Sequence, residues 1–381
     1  MVLEAPSGAG GPALGDAVDG GGPEPRVSLI RRVVDAAAPG AVDLALGLPR
    51  HPVPRPVGRA LAREAREGHL GYTTNAGRRD LRRAVAARRP HHGTSGDSVI
   101  VTVGSQQALG LALLGRVRPG DEVVVPELAY PSYGFLAERA GATVVRASAS
   151  DLPEAVTDRT RLVLVASPAN PTGEVLPRDL LEALAGLAAE RGFDLLSDEV
   201  YEEIWLGEEP PAVPAGERVL HVGGISKTLA APGLRLGWLV AAPDVVARLL
   251  PLHQHLVTCA PALSQAVALA GLALPAAELE AVRDHYRRRW RRLRALLAEL
   301  PDGVRWRAPE GAFYAWLDVR ERVPGTTAEL ALELARRGEV QVVPGEAFGP
   351  AGRGHLRLTF SGPEADLEEG VRRLGSALGG G

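Results

Sequence analysis

Lys227, in the stretch "GGISKTLAAPGLRLGW" (223–238), is the only lysine among the 43 lysine and arginine residues of the chain. A guanidinium stays protonated and cannot attack a carbonyl, whereas a lysine amine can once its pKa is lowered. A bias towards arginine explains the missing lysines but not the one that remains, which reads either as a leftover surface residue or as a covalent amine. Eight residues on, Arg235 carries the forked donor set that grips a phosphate. The segment "VGSQQA" (103–108) combines a turn, a helix start and the hydroxyl of Ser105, so backbone N–H groups can meet the same anion. Taken alone, Ser105 is also an ordinary N-cap. Together these residues suit an aldehyde cofactor that carries a phosphate.

Such a cofactor serves as an electron sink only while its ring nitrogen is protonated, and Asp198 in "LLSDEVY" stands at a strand end where a carboxylate can keep it so. Tyr201, three residues later, and Asn170 in "SPANPTG" (167–173) can reach the ring's phenolic oxygen. As isolated residues, Asp198 reads as a helix cap or loop acid and Asn170 as a turn residue before proline. The motifs speak against nucleotide binding. A phosphate loop of the ATPase type has Gly immediately before its Lys, where this chain has Ser226, and no G-x-G-x-x-G follows the first strand.

These residues need a frame. From Val27 onward, β-rich runs (98–103, 121–126, 142–147, 161–167, 194–199, 218–224 and 235–241) alternate with helical patterns such as 177–192. That alternation predicts a mostly parallel sheet covered by helices on both faces, with ligands at the carboxyl ends of its strands. A helix over 276–300 leads into separated strands, "GVRWRAP", "AFYAWLDV", "VQVVP" and "HLRLTF", with helices at 326–337 and 363–378, a second and smaller α+β domain. The expected division is a disordered tail (1–26), an N-terminal segment of the small domain (27–51), a large domain (52–275) and the small domain proper (276–381). The tail holds seven Gly and four Pro, with little to bury.

Composition narrows the partners. A net charge of −3 over 381 residues gives no reason to expect nucleic acid or a membrane surface, and "RRRWRR" (287–292) reads as the solvated face of a long helix. A single cysteine, Cys259, excludes an intrachain disulfide and an all-Cys metal site. No metal is expected. With no spanning apolar run and no targeting signal at the N-terminus, a cytoplasmic location is expected.

The chain resembles the class I and II aminotransferase family of pyridoxal 5′-phosphate enzymes, from about residue 40 to 375, through motifs in the family's order. The resemblance implies fold type I, with a mostly parallel seven-stranded sheet in the large domain beside a smaller α+β domain. The Lys of "SKT" then forms the internal aldimine, which implies that role for Lys227. "PELAYPSY" implies that Tyr130 stacks on the pyridine ring, "SPANPTG" that Asn170 reaches its O3′, and "SDEVY" that Asp198 holds the ring nitrogen with Tyr201 at O3′. "GLRLG" implies Arg235 on the phosphate, with Ser105, Gln106 and Ser226 around it. "GYTTNAGRRDLR" implies that Tyr72 reaches the phosphate of a neighbouring subunit, hence a homodimer. "HLRLTFS" implies Arg357 on the substrate α-carboxylate, and "LALGLP" implies Gly47 beside it, with Asn170 and Tyr130 lining the substrate side.

Two positions depart from the family pattern. Gly224 stands where relatives carry a phosphate-contacting Ser, and "GLPRHP" replaces G-x-P-D-F, which leaves Arg50 and His51 either reading a substrate side chain or on the surface. The expected reaction is transamination between an L-amino acid and a 2-oxo acid. A β-eliminating lyase or another specialised enzyme of the fold is the alternative, since the fold holds the cofactor rather than the outcome. A ligand-sensing transcription regulator is a remote one, because no helix-turn-helix precedes the fold.

Overall fold

The computed structural model describes residues 27–67, 70–93 and 95–379; the tail expected over 1–26 lies outside the described residues. The chain opens with α1 (Leu29–Asp35) and β1 (Val42–Asp43), then α2 (Arg55–Glu67) and α3 (Arg79–Ala86). The alternating part follows as β2 (Val99–Thr102), α4 (Gly104–Arg116), β3 (Glu122–Pro126), α5 (Pro131–Arg139), β4 (Thr143–Ala147), β5 (Thr160–Ala166), α6 (Arg178–Arg191), β6 (Asp194–Asp198), β7 (Val219–Gly224) and β8 (Gly237–Val240). Three helices, α7 (Pro243–Val257), α8 (Ala262–Leu272) and α9 (Ala276–Leu297), lead to β9 (Arg305–Trp306), β10 (Tyr314–Asp318), α10 (Thr327–Arg336), β11 (Val340–Gln341), β12 (Val343–Pro344), β13 (His355–Thr359) and α11 (Glu364–Gly379).

Seven strands form one sheet in the order β2-β8-β7-β6-β5-β3-β4. All neighbours pair in parallel except β8, which is antiparallel to both β2 and β7. Every residue of β2, β6 and β8 is buried, as strands covered on both faces require. Ile100, Val123, Leu162, Leu196 and Leu239 face one apolar cluster with α4, α5 and α7, while Val124, Val163, Leu195 and Val219 pack against α6 on the other side. The reversal of β8 positions the site. Because Gly237 at its amino end pairs with both Thr102 and Gly224, the residues just before it arrive at the carboxyl edge of the parallel strands. Arg235 comes to the cavity by this route.

The second layer is a four-stranded antiparallel sheet, β12-β13-β10-β9, which shares one apolar core with α9 and α11. "VQVVP", expected as one strand, is split between two sheets. Val340–Gln341 pairs in parallel with Val42–Asp43, and Val343–Pro344 pairs with Arg357 and Leu356. Two different partners approach from opposite ends of five residues, so the run cannot stay one ladder. The arginines of "RRRWRR" are less free than a solvated face requires: Arg287 bonds Glu280 and Asp284, and Arg289 and Arg292 reach Glu364 and Glu368 of α11. Trp290 between them turns into the core, 8% exposed. Among the described residues no single helix is long and apolar enough to cross a membrane.

Candidate active site

A cavity of about 410 Å³ opens at the carboxyl edge of the seven-stranded sheet, where the loops after β2, β3, β5, β6 and β7 converge. Its walls include Ser105, Gln106, Tyr130, Asn170, Asp198, Tyr201, Ser226, Lys227, Arg235, Arg357 and Gly47. Thus the cavity brings together every residue expected to hold cofactor or substrate except Tyr72, which is 91% exposed and does not line it.

At one end the first turn of α4 points at the cavity. Its cap is Val103 rather than Ser105, and no side chain caps it, so Ser105 sits inside the first turn with backbone N–H groups beside its hydroxyl. Gly104 before it has φ +75°, and a Cβ there would stand 2.4 Å from the Arg235 guanidinium. Only glycine allows that approach. Arg235 itself lies in the left-handed region with φ +48°, a strained position for a side chain of this size, and donates to the carbonyl of Pro232 at 2.8 Å. Among the described residues it has no carboxylate within ion-pair distance, so the corner formed with the helix N-terminus is cationic and uncommitted.

Opposite lies Asp198, the last residue of β6, 5% exposed. Tyr133 donates its hydroxyl to Asp198 Oδ2 at 2.7 Å, and the Val200 N–H meets Oδ1 at 3.3 Å. Burial raises the carboxyl to about 6, against these two hydrogen bonds, which favour the anion. Tyr201 Oη is 2.6 Å from Tyr314 Oη, and burial holds both phenols above their ordinary range. Tyr314 also packs under Arg357, whose guanidinium carbon is 4.3 Å from its ring centre. The same hydroxyl requires a glycine at 47, because a Cβ there would come within 2.0 Å of it.

Lys227 lies in the loop after β7 and donates to the Gly47 carbonyl at 2.7 Å. Burial lowers its pKa to about 8, the cations Arg357 and Arg235 act in the same direction, and Asp198 opposes them. Arg357, on β13 and 2% exposed, donates to Asn170 Oδ1 at 2.8 Å and to the Ala45 carbonyl, while its Nε is buried without a partner.

Two tyrosines come to the site unannounced by the sequence, and His51 takes neither place expected of it. Tyr133 and Tyr314 sit within apolar patterns, and only the fold shows where their hydroxyls go; Tyr133 lies one helical turn after Tyr130, which in hindsight is the only local signal. His51 is buried and lies outside the cavity, with Nδ1 2.8 Å from Tyr286 Oη and Nε2 3.0 Å from the carbonyl of Thr228, the residue after Lys227. It braces the lysine loop. Arg50 turns to Asp43 at 3.6 Å, outside the cavity. Gly224 ends β7 and does not line the cavity either. A Cβ there would meet the Leu236 carbonyl at 3.0 Å, so the closeness of β8 favours glycine.

A family model described as aminotransferase class I and II matches residues 39–374. A putative aminotransferase of Bacillus subtilis, YugH, is 34% identical over 368 residues, 91% of this chain and 94% of that protein. The arginine–pyruvate transaminase AruH of Pseudomonas aeruginosa is also 34% identical, over 349 residues, 87% of this chain and 88% of its own. Among solved structures, the aspartate aminotransferase of Thermus thermophilus with maleate superposes with a TM-score of 0.85 at 31% identity, covering 93% of this chain and 97% of that one.

Proposed function

The chain belongs to the class I and II aminotransferase family, pyridoxal-phosphate enzymes that transfer an amino group from an amino acid to a 2-oxo acid, and from that membership we propose how its residues divide the work. The donor set fits the cofactor. Three cations, Lys227, Arg235 and Arg357, face one cavity whose carboxylate is Asp198, and the two arginines lack carboxylate partners among the described residues. Such an excess of positive charge, with Arg357 buried, Lys227 partly buried and Arg235 at the open end, suits a site that takes a phosphate and a carboxylate. When bound, the cofactor supplies an aldehyde that condenses with amines and a ring that accepts the electron pair left when the Cα–H bond breaks.

Arg235, Ser105, Ser226 and the first turn of α4, with Gln106, hold the phosphate. Asp198, kept anionic by Tyr133, holds a proton at the ring nitrogen. Tyr201 and the amide of Asn170 face the phenolic oxygen, and Tyr130 covers the ring. Arg357 orients the substrate through its α-carboxylate, next to Gly47. Lys227 would hold the cofactor's aldehyde carbon, and its free amine is the base for the proton at the substrate Cα. The observation that carries this reading is the buried amine itself, since a pKa near 8 leaves about a tenth of it unprotonated at neutral pH. Incubating the enzyme with single amino acids and no oxo acid is expected to release one equivalent of 2-oxo acid per Lys227 and no ammonia. Continuing ammonia release would instead indicate the lyase, for which the named relatives offer no support, and normal turnover by Lys227→Ala would overturn the assignment.

The amino donor is not set by the family, because relatives named for arginine and for aspartate stand at equal identity. A homodimer with Tyr72 reaching the neighbouring phosphate is supported by the exposure of Leu70, Tyr72, Leu256 and Val257 and by the Asn75 bond to the Thr258 carbonyl that draws these segments together. Mixing Lys227→Ala and Tyr72→Ala subunits is expected to restore activity by forming one intact site per hybrid dimer; no recovery in isolated hybrids would overturn the shared site. The division at residues 51/52 and 275/276 is supported by the pairing of β1 with β11 and by the core that Val33 and Leu44 share with Leu317, Val340 and Leu374. A cytoplasmic location agrees with a chain whose single cysteine needs no oxidising compartment.

A further inference from the structure

On the far side of Glu199 from the cavity, three of the chain's nine histidines meet. His91 and His92 lie in the one-turn segment Pro90–His92 after α3, and His221 lies within β7. One ring nitrogen from each lies within 4.8 Å of the other two, and His91 Nε2 is 3.0 Å from His221 Nε2. Their hydrogen bonds settle which nitrogens are bare. Glu199 Oε1 stands 2.6 Å from His221 Nδ1, and its other oxygen is held by Arg89, so the carboxylate accepts and His221 Nδ1 carries the hydrogen. In neutral His221 the lone pair is therefore on Nε2, where it accepts from His91 Nε2 at 3.0 Å; the exposed His91 ring offers its own Nε2 to a metal once its hydrogen sits on Nδ1 instead. His92 Nε2 donates to the Val219 carbonyl at 2.8 Å, which leaves its Nδ1 bare. A carboxylate orienting an imidazole from behind is the arrangement that fixes the tautomer of metal-binding histidines.

We propose that His91, His92 and His221 form a binding site for a divalent transition-metal ion of the zinc class, oriented by Glu199, with a fourth position left to water. Three nitrogens around Zn²⁺ at about 2.0–2.1 Å stand roughly 3.3–3.4 Å apart, so the cluster needs only a small closure of the 90–92 turn onto β7. The surrounding charge permits a dication: Glu199, Glu202 and Glu203 are matched by Arg88, Arg89 and Arg283, with no excess positive charge. His91 is exposed and gives the ion an entry path and the water position. The site ties the turn after α3 to the strand beside Asp198. It is independent of the pyridoxal-phosphate reading.

The test uses the holoenzyme after chelator treatment and dialysis, titrated with ZnCl₂ and separately with CoCl₂. The expected result is one equivalent of tightly held metal per chain, the d–d absorption of tetrahedral Co²⁺, and a rise in melting temperature with Zn²⁺. His91→Ala, which alters an exposed side chain, and His92→Ala are each expected to weaken Zn²⁺ binding by at least about 100-fold, the upper end for losing even an outer partner. No retained equivalent in the wild type, or equal retention and the same Co²⁺ spectrum in His91→Ala, would overturn the site.

Discussion

Replacing Lys227 by Met changes stability in a way that only a buried, reluctant cation can produce. The amine ordinarily titrates near 10.5, and in the fold burial and Arg357 lower it to about 8. At about 1.4 kcal/mol per tenfold change in proton affinity, that lowering corresponds to about 3 kcal/mol of destabilisation while the amine is protonated in both states, that is, below pH 8. Between pH 8 and 10.5 the unfolded chain binds more protons than the native one, so stability rises with pH; above 10.5 the penalty is gone. Met has no such term. Losing the bond to the Gly47 carbonyl adds a constant offset, and losing the Lys227 charge moves the Asp198 carboxyl up from about 6, so the comparison is read across the window from pH 8 to 10.5. Urea unfolding of both apo-proteins from neutral pH to above 10.5 is therefore expected to show the wild type gaining on Lys227→Met by about 3 kcal/mol across that window. A stability difference that stays constant with pH would refute the lowered amine, and with it the argument that this lysine is primed as a nucleophile.

Other consequences follow from the same geometry. Arg235→Gln removes the uncommitted guanidinium at the α4 terminus and is expected to weaken pyridoxal phosphate binding about 10–100-fold, the range of a lost charge-assisted bond, while leaving binding of unphosphorylated pyridoxal unchanged; equal loss for both ligands would remove Arg235 from the phosphate. Tyr133→Phe deletes the bond that keeps Asp198 ionised, so its carboxyl titrates above about 6 and the acid limb of kcat/KM moves up by about one pH unit; an unmoved limb would mean the phenol does not govern that charge. Gly47→Ala drives a methyl into Tyr314 Oη and is expected to cost about 1–3 kcal/mol, with Tyr314→Phe restoring part of the loss in the double variant; a Gly47→Ala protein as stable as the wild type would contradict the contact.

The inner strands of the large sheet were legible because they are buried on both faces and rich in apolar residues, and the site residues were legible because they follow those runs at once. Lys227, Asp198, Asn170 and Ser105 all lie within a few residues of a strand end. Boundaries drifted where backbone geometry, not hydropathy, decides: the run 235–241 begins as a strand only at Gly237, since Arg235 is left-handed. Tyr133 and Tyr314 were hidden because an aromatic inside an apolar pattern gives no hint of where its hydroxyl points. The histidine trio was hidden by distance, as 130 residues separate His91 from His221. His51 was visible but misplaced, because nothing local shows that it faces Tyr286 and Thr228 rather than a ligand.

Arg357 is mounted on one sheet, bonded to Asn170 of the other and to the N-terminal segment through Ala45. A substrate carboxylate that grips both Nη groups of this guanidinium competes with Asn170 for Nη1, so on that edge the ligand does not fill a vacant socket but replaces a stitch between the lobes. Occupancy and interlobe adhesion are then two readings of one exchange, and affinity for a carboxylate is set as much by what the protein relinquishes as by what it grasps. Asn170→Ala, which loosens the stitch in advance, shifts that exchange towards the ligand, and a tighter binding of simple carboxylates to the variant is its signature.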